Sequence, residues 1–530
     1  MQRRLAFFFL LGALLALFPA VGTAAPAPAV KPPELPRGAL IEKLTCPGNP
    51  EQSYALYLPS TYSPDRTWPI LYAFDARGEA LVPAKAFQEA AEKYGWIVVS
   101  SYNSASDGPI EPNFAAMRAL WAETHARFAI DEKRVYAAGF SGTVRFSCIL
   151  ALSAPGSIAG VIGAGAGYPN DVVPKADHPF VFFGTVGDRD FNYYEMMTLD
   201  RNLEAVHLSH RIEIFDGTHA WPPAPLAGQA IAWMELAAMR TGKREKAPAL
   251  VEPLWTADRE RARSLEAEGK LWDARRLWIA MAEGYAGLRP DAEIAEAKTR
   301  SEEIAGREAF KKQAREWQER FDRDTKFLAE APTILGQVHP GSEPMTVSQI
   351  AAQLKIPQLK SRAESPDPEE RLSAKRLLST LSAQTSFYLP QMLIEKKDYD
   401  RAVFMLSVAA EIRPESPWPW VQIAAAQARK GKAGRKPALD ALRKALEKGL
   451  DDPTVLENEK AFADLRQDEG YRQILEQVRQ KAPSPPAPLP APPSPSPGEG
   501  RKEETTPSGA ISCLPSPGGG WGGRWERGRG

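Results

Sequence analysis

The chain has 530 residues, too many for one hydrophobic core, and at about 150 residues per domain it predicts two to four units. Lysine plus arginine and aspartate plus glutamate number 66 each, so the formal net charge is zero. That balance excludes the basic footprint of a nucleic-acid binder and gives no attraction to an anionic membrane surface.

Residues 1–25 read as a signal peptide. Arg3 and Arg4 precede an apolar run from Leu5 to about Val21, and Gly22, Thr23, Ala24 and Ala25 follow as small residues. The protein is therefore expected to be secreted or periplasmic, and the arginine pair hints at twin-arginine export. No later segment is apolar enough to span a bilayer. Residues 26–37 form a Pro-rich spacer.

From 38 to 242 short apolar runs alternate with helix-length segments. The strand-like runs are 54–58, 69–74, 96–101, 134–140, 158–166, 180–183 and 211–215, rich in Val, Ile, Phe and Tyr. Segments 84–94, 114–128 and 194–208 read as helices. Near-continuous apolar strands alternating with helices predict a mostly parallel sheet covered on both faces. Ligands in such sheets bind beyond the carboxyl ends of the strands, so chemistry is sought there.

From 245 to 480 the chain is charged and helical. Helix–break–helix units fall around 265–274, 398–414 and 418–445, with small residues at the expected crossings and a spacing near 34 residues, as in tetratricopeptide-type hairpins. Segment 331–368 fits that pattern poorly and reads as a linker with one helix at 347–354. The tail, 482–530, is rich in Pro, Ser and Gly and is expected to be disordered. Cys46, Cys148 and Cys513 are too few and too far apart for a disulfide framework or a zinc site. A Cys46–Cys148 bridge is open, but a buried small hydrophobe is the plainer reading of Cys148.

The strand at 134–140 runs into Gly139-Phe140-Ser141-Gly142-Thr143, and a helix at 144–152 follows. A strand–Gly-x-Ser-Gly–helix turn lifts a serine hydroxyl out of the sheet, and Gly142 N–H then faces a substrate oxyanion. A serine needs a base. Of the six histidines, His219 alone follows a strand, in Gly217-Thr218-His219-Ala220-Trp221-Pro222. His125 is mid-helix, His178, His207 and His210 precede strands, and His339 lies outside the domain. The acid should fall between serine and histidine, after the strand at 180–183, where both Asp188 and Asp190 stand; Asp190 is preferred for its reach and Asp188 is the second choice. Whichever aspartate loses is expected to serve a turn or cap the helix near Tyr194, and Asp216 to be a turn residue.

These residues resemble the α/β-hydrolase superfamily. Gly139–Gly142, the 187–193 loop and the His219-x-Trp221-Pro222 segment are most similar to the secreted polyhydroxybutyrate depolymerase and feruloyl or acetylxylan esterase group, over about residues 50–240. The resemblance implies a Ser-Asp-His triad, a small-molecule or polymeric carboxylic-ester substrate, an acyl-enzyme intermediate and no cofactor. It places a second oxyanion donor in the loop after strand 69–74, at Ala76 or Arg77. Phe140, Arg77 and Trp221, with Tyr102, Asn103 and Tyr168, are candidate pocket residues, each equally a packing or solvent position. Thr143 departs from the family's usual glycine. A β-branched residue there would hold the helix off the strand or lower activity. A serine peptidase on the same fold shares this chemistry, and a catalytically weak scaffold acting on a protein partner through its helices is the third reading.

Overall fold

The computed structural model describes residues 34–337 and 345–482. The signal-peptide reading, His339, Cys513 and all of the tail but Ala482 lie outside those residues. No described helix is long and apolar enough to cross a membrane.

Eight strands form one sheet: β1 (Leu40–Cys46), β2 (Asn49–Tyr57), β3 (Trp68–Phe74), β4 (Ile97–Ser101), β5 (Ile130–Phe140), β6 (Gly160–Ala164), β7 (Val181–Gly187) and β8 (His210–Phe215). Their order is β1-β2-β4-β3-β5-β6-β7-β8. The β1–β2 hairpin is antiparallel, β2 runs antiparallel to β4, and every later pairing is parallel. The crossovers carry α1 (Leu81–Tyr94), α2 (Glu111–Arg127), α3 (Gly142–Ser153) and α4 (Tyr193–Ala205), and α5 (Ala224–Arg240) follows β8.

Strand side chains alternate between faces, and β3 shows how this builds two cores. Leu71 and Ala73 pack with Phe87 of α1 and Ile231 and Met234 of α5. Tyr72 and Phe74 point the other way, onto Trp121 of α2 and Phe146 of α3, with ring centroids 6.0 and 5.1 Å apart. β3 is buried along its whole length, which is why it reads as a continuous apolar run rather than an alternating one. This is the α/β-hydrolase architecture that the strand and motif order predicted.

The chain then turns wholly helical among its described residues: α6 (Pro248–Ala267), α7 (Leu271–Gly284), α8 (Asp291–Gly306), α9 (Glu308–Gly336), α10 (Val347–Gln353), α11 (Ile356–Arg362), α12 (Pro368–Ala383), a π-helical turn (Gln384–Tyr388), α13 (Leu389–Glu395), α14 (Tyr399–Ile412), α15 (Trp418–Ala428), α16 (Arg435–Glu447), α17 (Pro453–Asn458) and α18 (Glu469–Lys481). The segment read as a linker with one helix thus holds two. Pro357 reads as a breaker but occupies the second position of α11, where a missing N–H costs nothing.

The residues fall into two compact units. One joins the sheet to the helices up to Glu330 and to Leu359–Thr380; the other comprises Ala331–Gln358 and the chain from Leu381 on. The first unit extends well past α5 because β8 is an edge strand bearing charges. Buried Arg211 of β8 bonds Glu213 and reaches Asp258 of α6, while Arg261 of α6 pairs with Glu213 at 3.0 Å. Against its burial, these two arginines hold the Glu213 carboxyl down at about 2. Tyr285 donates to Asp258 at 2.9 Å, and Arg276 of α7 donates to the Ile212 carbonyl at 3.0 Å. A free sheet edge is thereby covered. In the second unit α15 and α16 meet through small buried residues, Ala424, Ala438, Ala441 and Ala445, and α18 adds Tyr471 and Ile474 to the same core. The break within the 418–445 unit is a 3-10 turn, Gly431–Gly434.

Cys46 and Cys148 are both free thiols, so the bridge left open by the sequence is not formed. Burial pushes the Cys46 thiol up to about 11 and the Cys148 thiol higher still.

Candidate active site

Ser141 stands between the end of β5 and the start of α3, at the helix N-cap. Its φ is 55° and its ψ −129°, a conformation that a residue with a Cβ rarely adopts. Two features hold it there. The Ser141 N–H donates to the Ala164 carbonyl of β6 at 2.8 Å. Gly139 lets the helix lie close: a Cβ there would stand 2.5 Å from the Thr143 carbonyl carbon and oxygen and from Val144 N. The turn therefore requires glycine at 139.

Thr143 does not hold the helix off. Its hydroxyl is wholly buried, accepts from Phe140 N–H at 2.9 Å and donates to the Phe74 carbonyl at 2.5 Å. It pins the end of β3 to the turn at the end of β5. The expected stand-off is absent: the backbone of Thr143 and Val144 lies against Gly139, where a Cβ would come within 2.5 Å of it.

His219 follows β8 and Asp190 follows β7, as the strand order required. His219 Nδ1–H donates to the Asp190 carboxylate, 2.9 Å from each oxygen. Asp190 is fully buried, and its Oδ1 also accepts Asn192 N–H at 2.8 Å. With Nδ1 engaged, His219 Nε2 is left as the basic nitrogen. The ring packs against two phenyl groups, with centroids 4.6 Å from Phe140 and 4.1 Å from Phe191. Phe140 directly precedes Ser141, so the imidazole sits beside the serine turn. The two are not hydrogen-bonded: among the bonds of the described residues, none joins Ser141 Oγ to His219. The tip of β6 completes the junction. A Cβ on Gly165 would lie 2.9 Å from His219 Nδ1 and 3.0 Å from Asp190 Oδ2.

Asp188 does not bond His219, nor does it cap α4. Its Oδ1 accepts Gly217 N–H at 3.1 Å, and its own N–H donates to the Phe215 carbonyl. It laces the acid loop to the histidine loop. Arg189 N–H donates to the Gly217 carbonyl at 2.9 Å in the same weave. Asp216 is exposed and pairs with Arg189. Of the other described histidines, His125 stacks on Trp121, His178 stacks on Tyr168, His210 pairs with Asp200, and His207 is exposed on the turn before β8.

Gly142 N–H opens α3 at the helix N-terminus, beside Ser141. In the loop after β3, Arg77 N–H is committed to Asp75 Oδ1 at 2.7 Å, whereas Ala76 N–H has no partner among the described residues. Of the two candidate donors, Ala76 is the one left open. The sequence reading passed over Asp75, which organises this loop. It is buried, its Oδ1 also accepts Glu79 N–H at 3.0 Å, and its Oδ2 accepts Trp221 Nε1–H at 2.8 Å. An aspartate at a strand tip, two residues before the next loop amide, was the signal that could have revealed it. The loop after β4 leans on the same corner. Ser106 N–H donates to the Ala76 carbonyl at 2.9 Å, and a Cβ on Gly142 would meet Ser106 Cβ at 2.6 Å.

Phe140 and Trp221 belong to the hydrophobic cluster beneath the strand tips. Arg77 pairs with Glu79 at the outer edge of its loop. Tyr102 and Asn103 bond backbone carbonyls of Glu42 and Glu51 along the β1–β2 hairpin. A groove of about 410 Å³, lined by Tyr168, Asn170, Tyr194, Glu195, Leu199 and Thr325 among others, lies along α4; Ser141 and His219 are not part of its lining. Among the described residues no group of three or more His, Cys, Asp or Glu side chains is arranged to hold a metal ion.

No protein-family model matches the sequence, and no curated protein does. Solved structures do. A fluorophosphonate-binding serine hydrolase of Staphylococcus aureus is 14% identical, with a TM-score of 0.31, over 38% of this chain and 99% of that one. A ferulic acid esterase is 14% identical, with a TM-score of 0.31, over 38% of this chain and 98% of its own. The feruloyl esterase module of Clostridium thermocellum is 15% identical, with a TM-score of 0.29, over 36% of this chain and 85% of its own.

Proposed function

We propose that the chain is a serine hydrolase that cleaves carboxylic esters through Ser141, His219 and Asp190. The observation that carries the reading is the hydrogen-bonded pair of buried Asp190 and half-buried His219 at two strand tips, beside a serine held at positive φ on a third. In the proposed cycle, His219 Nε2 takes the Ser141 hydroxyl proton as Oγ bonds the ester carbonyl carbon. The carbonyl oxygen becomes an oxyanion facing Gly142 N–H and Ala76 N–H. His219 then returns the proton to the departing alkoxide, leaving an acyl-serine. Water repeats the sequence: His219 takes its proton, hydroxide bonds the acyl carbon, and Ser141 leaves with the proton while the carboxylic acid is released. Asp190 keeps the imidazole in the tautomer and orientation that this requires.

The leader motivates action outside the cytoplasm, and the paired helices of the second unit, read as tetratricopeptide-like, are proposed to dock a protein partner. Hydrolysis of p-nitrophenyl acetate tests the enzyme reading. Ser141→Ala is expected to cut kcat by ~10⁴–10⁶-fold, and a fluorophosphonate probe is expected to label Ser141. A second reading, in which the hydrolase body is catalytically weak and the chain acts through its helices, draws on the unformed Ser141–His219 hydrogen bond. A wild-type protein that neither turns over the ester nor takes the probe selects it.

A further inference from the structure

The acid loop is held from outside the α/β core. Arg376 and Thr380 stand one turn apart on α12, more than 180 residues beyond the loop they touch. Arg376 is 8% exposed, and its Nε–H donates to the Asp188 carbonyl at 2.6 Å. Its guanidinium lies 3.7 Å from the centroid of the Tyr193 ring, close enough for a cation–π contact. The Thr380 hydroxyl shares its hydrogen between the Phe191 carbonyl at 3.2 Å and the Arg376 carbonyl of its own helix at 3.0 Å. A second anchor backs the first: Asp324 of α9 accepts from Tyr194 Oη–H at 2.7 Å and from Ser373 Oγ–H of α12 at 2.5 Å.

The backbone gripped in this way carries the site. Asp190 lies between Asp188 and Phe191. The Asp188 carboxylate holds Gly217 of the histidine loop, and the Phe191 ring packs on the imidazole. Loops at strand tips are ordinarily mobile, and a triad needs its members within about half an ångström of the productive geometry. A buried guanidinium that satisfies the Asp188 carbonyl and lies over the Tyr193 ring fixes the loop at both ends in register with the core.

We propose that Arg376 is a positioning residue: through Asp188 and Tyr193 it sets the acid loop, and thereby the Asp190–His219 pair, so that the helices after the hydrolase core are part of the working site. The positioning role rests on the esterase reading, whereas the mechanical brace does not. The test compares Arg376→Met, which keeps an aliphatic stem, with Arg376→Lys, which keeps a cation, both in the full chain. Hydrogen exchange is followed at the amides of 188–192 and 216–219, with the amides of β3 as reference, alongside ester kcat and KM.

In Arg376→Met the loop amides are expected to exchange at least tenfold faster with β3 unchanged. The kcat is expected to fall about ten- to hundredfold with KM within about twofold, and Arg376→Lys to lie between Met and wild type. Loop amides exchanging at the wild-type rate overturn the brace. So does a rise shared equally by β3, which reports general loosening. Faster loop exchange with unchanged kcat overturns the positioning role. If the Met variant does not fold, the same comparison is made on Lys against wild type, with the same outcomes. If wild type turns over no ester, the esterase reading fails and the positioning role falls with it, while exchange still decides the brace.

Discussion

Thr143→Val isolates one hydroxyl at the tightest corner of the fold. Valine nearly matches threonine in volume, so little cavity is created and the loss is one of hydrogen bonding. The Phe140 N–H donates to Thr143 Oγ1 at 2.9 Å, and the Thr143 hydroxyl donates to the Phe74 carbonyl at 2.5 Å, all of it wholly buried. An orphaned buried donor costs about 1–3 kcal/mol, and the lost bond to the carbonyl adds about 1 kcal/mol. The expected destabilisation is therefore about 2–4 kcal/mol. For a body of this size each kcal/mol lowers Tm by about 2–4 °C, so thermal unfolding by circular dichroism should show a drop of roughly 5–15 °C. Thr143→Ser keeps both bonds and loses one methyl, about 1 kcal/mol. A valine variant as stable as the serine variant would refute the reasoning, and the departure from glycine would again need explaining.

Asp190→Asn is expected to lower kcat by about 10³–10⁴-fold through the wrong imidazole tautomer, while Asp188→Asn keeps an oxygen for Gly217 and should cost less than about tenfold; parallel ester assays compare them. His210, largely covered on β8, pairs with Asp200 of α4 at 3.2 Å. Burial pulls the imidazole down, but the Asp200 hydrogen bond and charge outweigh it and raise it, while burial opposes and His210 and Arg276 lower the Asp200 carboxyl. The histidine's contribution is fully present below its unfolded value near 6.5 and fades as pH rises through the raised folded value; that of Asp200 is present above about 3.8 and fades as pH falls through its lowered folded value. His210→Gln should therefore flatten the decline in denaturant midpoint above pH 6.5, and an unchanged slope there counts against the pairing. Cys46 and Cys148 should resist iodoacetamide in the native protein and react after unfolding, as peptide mass spectrometry would show; native labelling at either would contradict their burial.

Most of the sheet was legible because its inner strands are buried on both faces and read as apolar runs. β3 and β4 begin within one residue of the expected 69 and 96 and end where expected, at 74 and 101; the edge strand β8 was found as closely, from 211 to 215 against the observed 210–215, because Ile212, Ile214 and Phe215 still give it a β pattern. β1 was missed for the opposite reason. Leu40–Cys46 is an edge strand with exposed Glu42 and Lys43, so its pattern is that of a loop. The Asp190–His219 contact followed from chain order at strand tips. Asp75 did not, since only the folded chain brings Trp221 to its second oxygen. Arg376 was illegible in principle: nothing local in a helical segment says which strand tip it will meet.

Asp75 has a further consequence. One carboxylate fastens the amides after β3 with one oxygen and the indole two residues past the imidazole with the other. Widening the mouth by shifting either rim strands a buried charge on the other. A variant accepting bulkier substrates is better sought in the segment after β4 at Asp107, Gly108 and Pro109, which stand in solvent, with Ala105 left on Asn113 and Ser106 left on the Ala76 carbonyl.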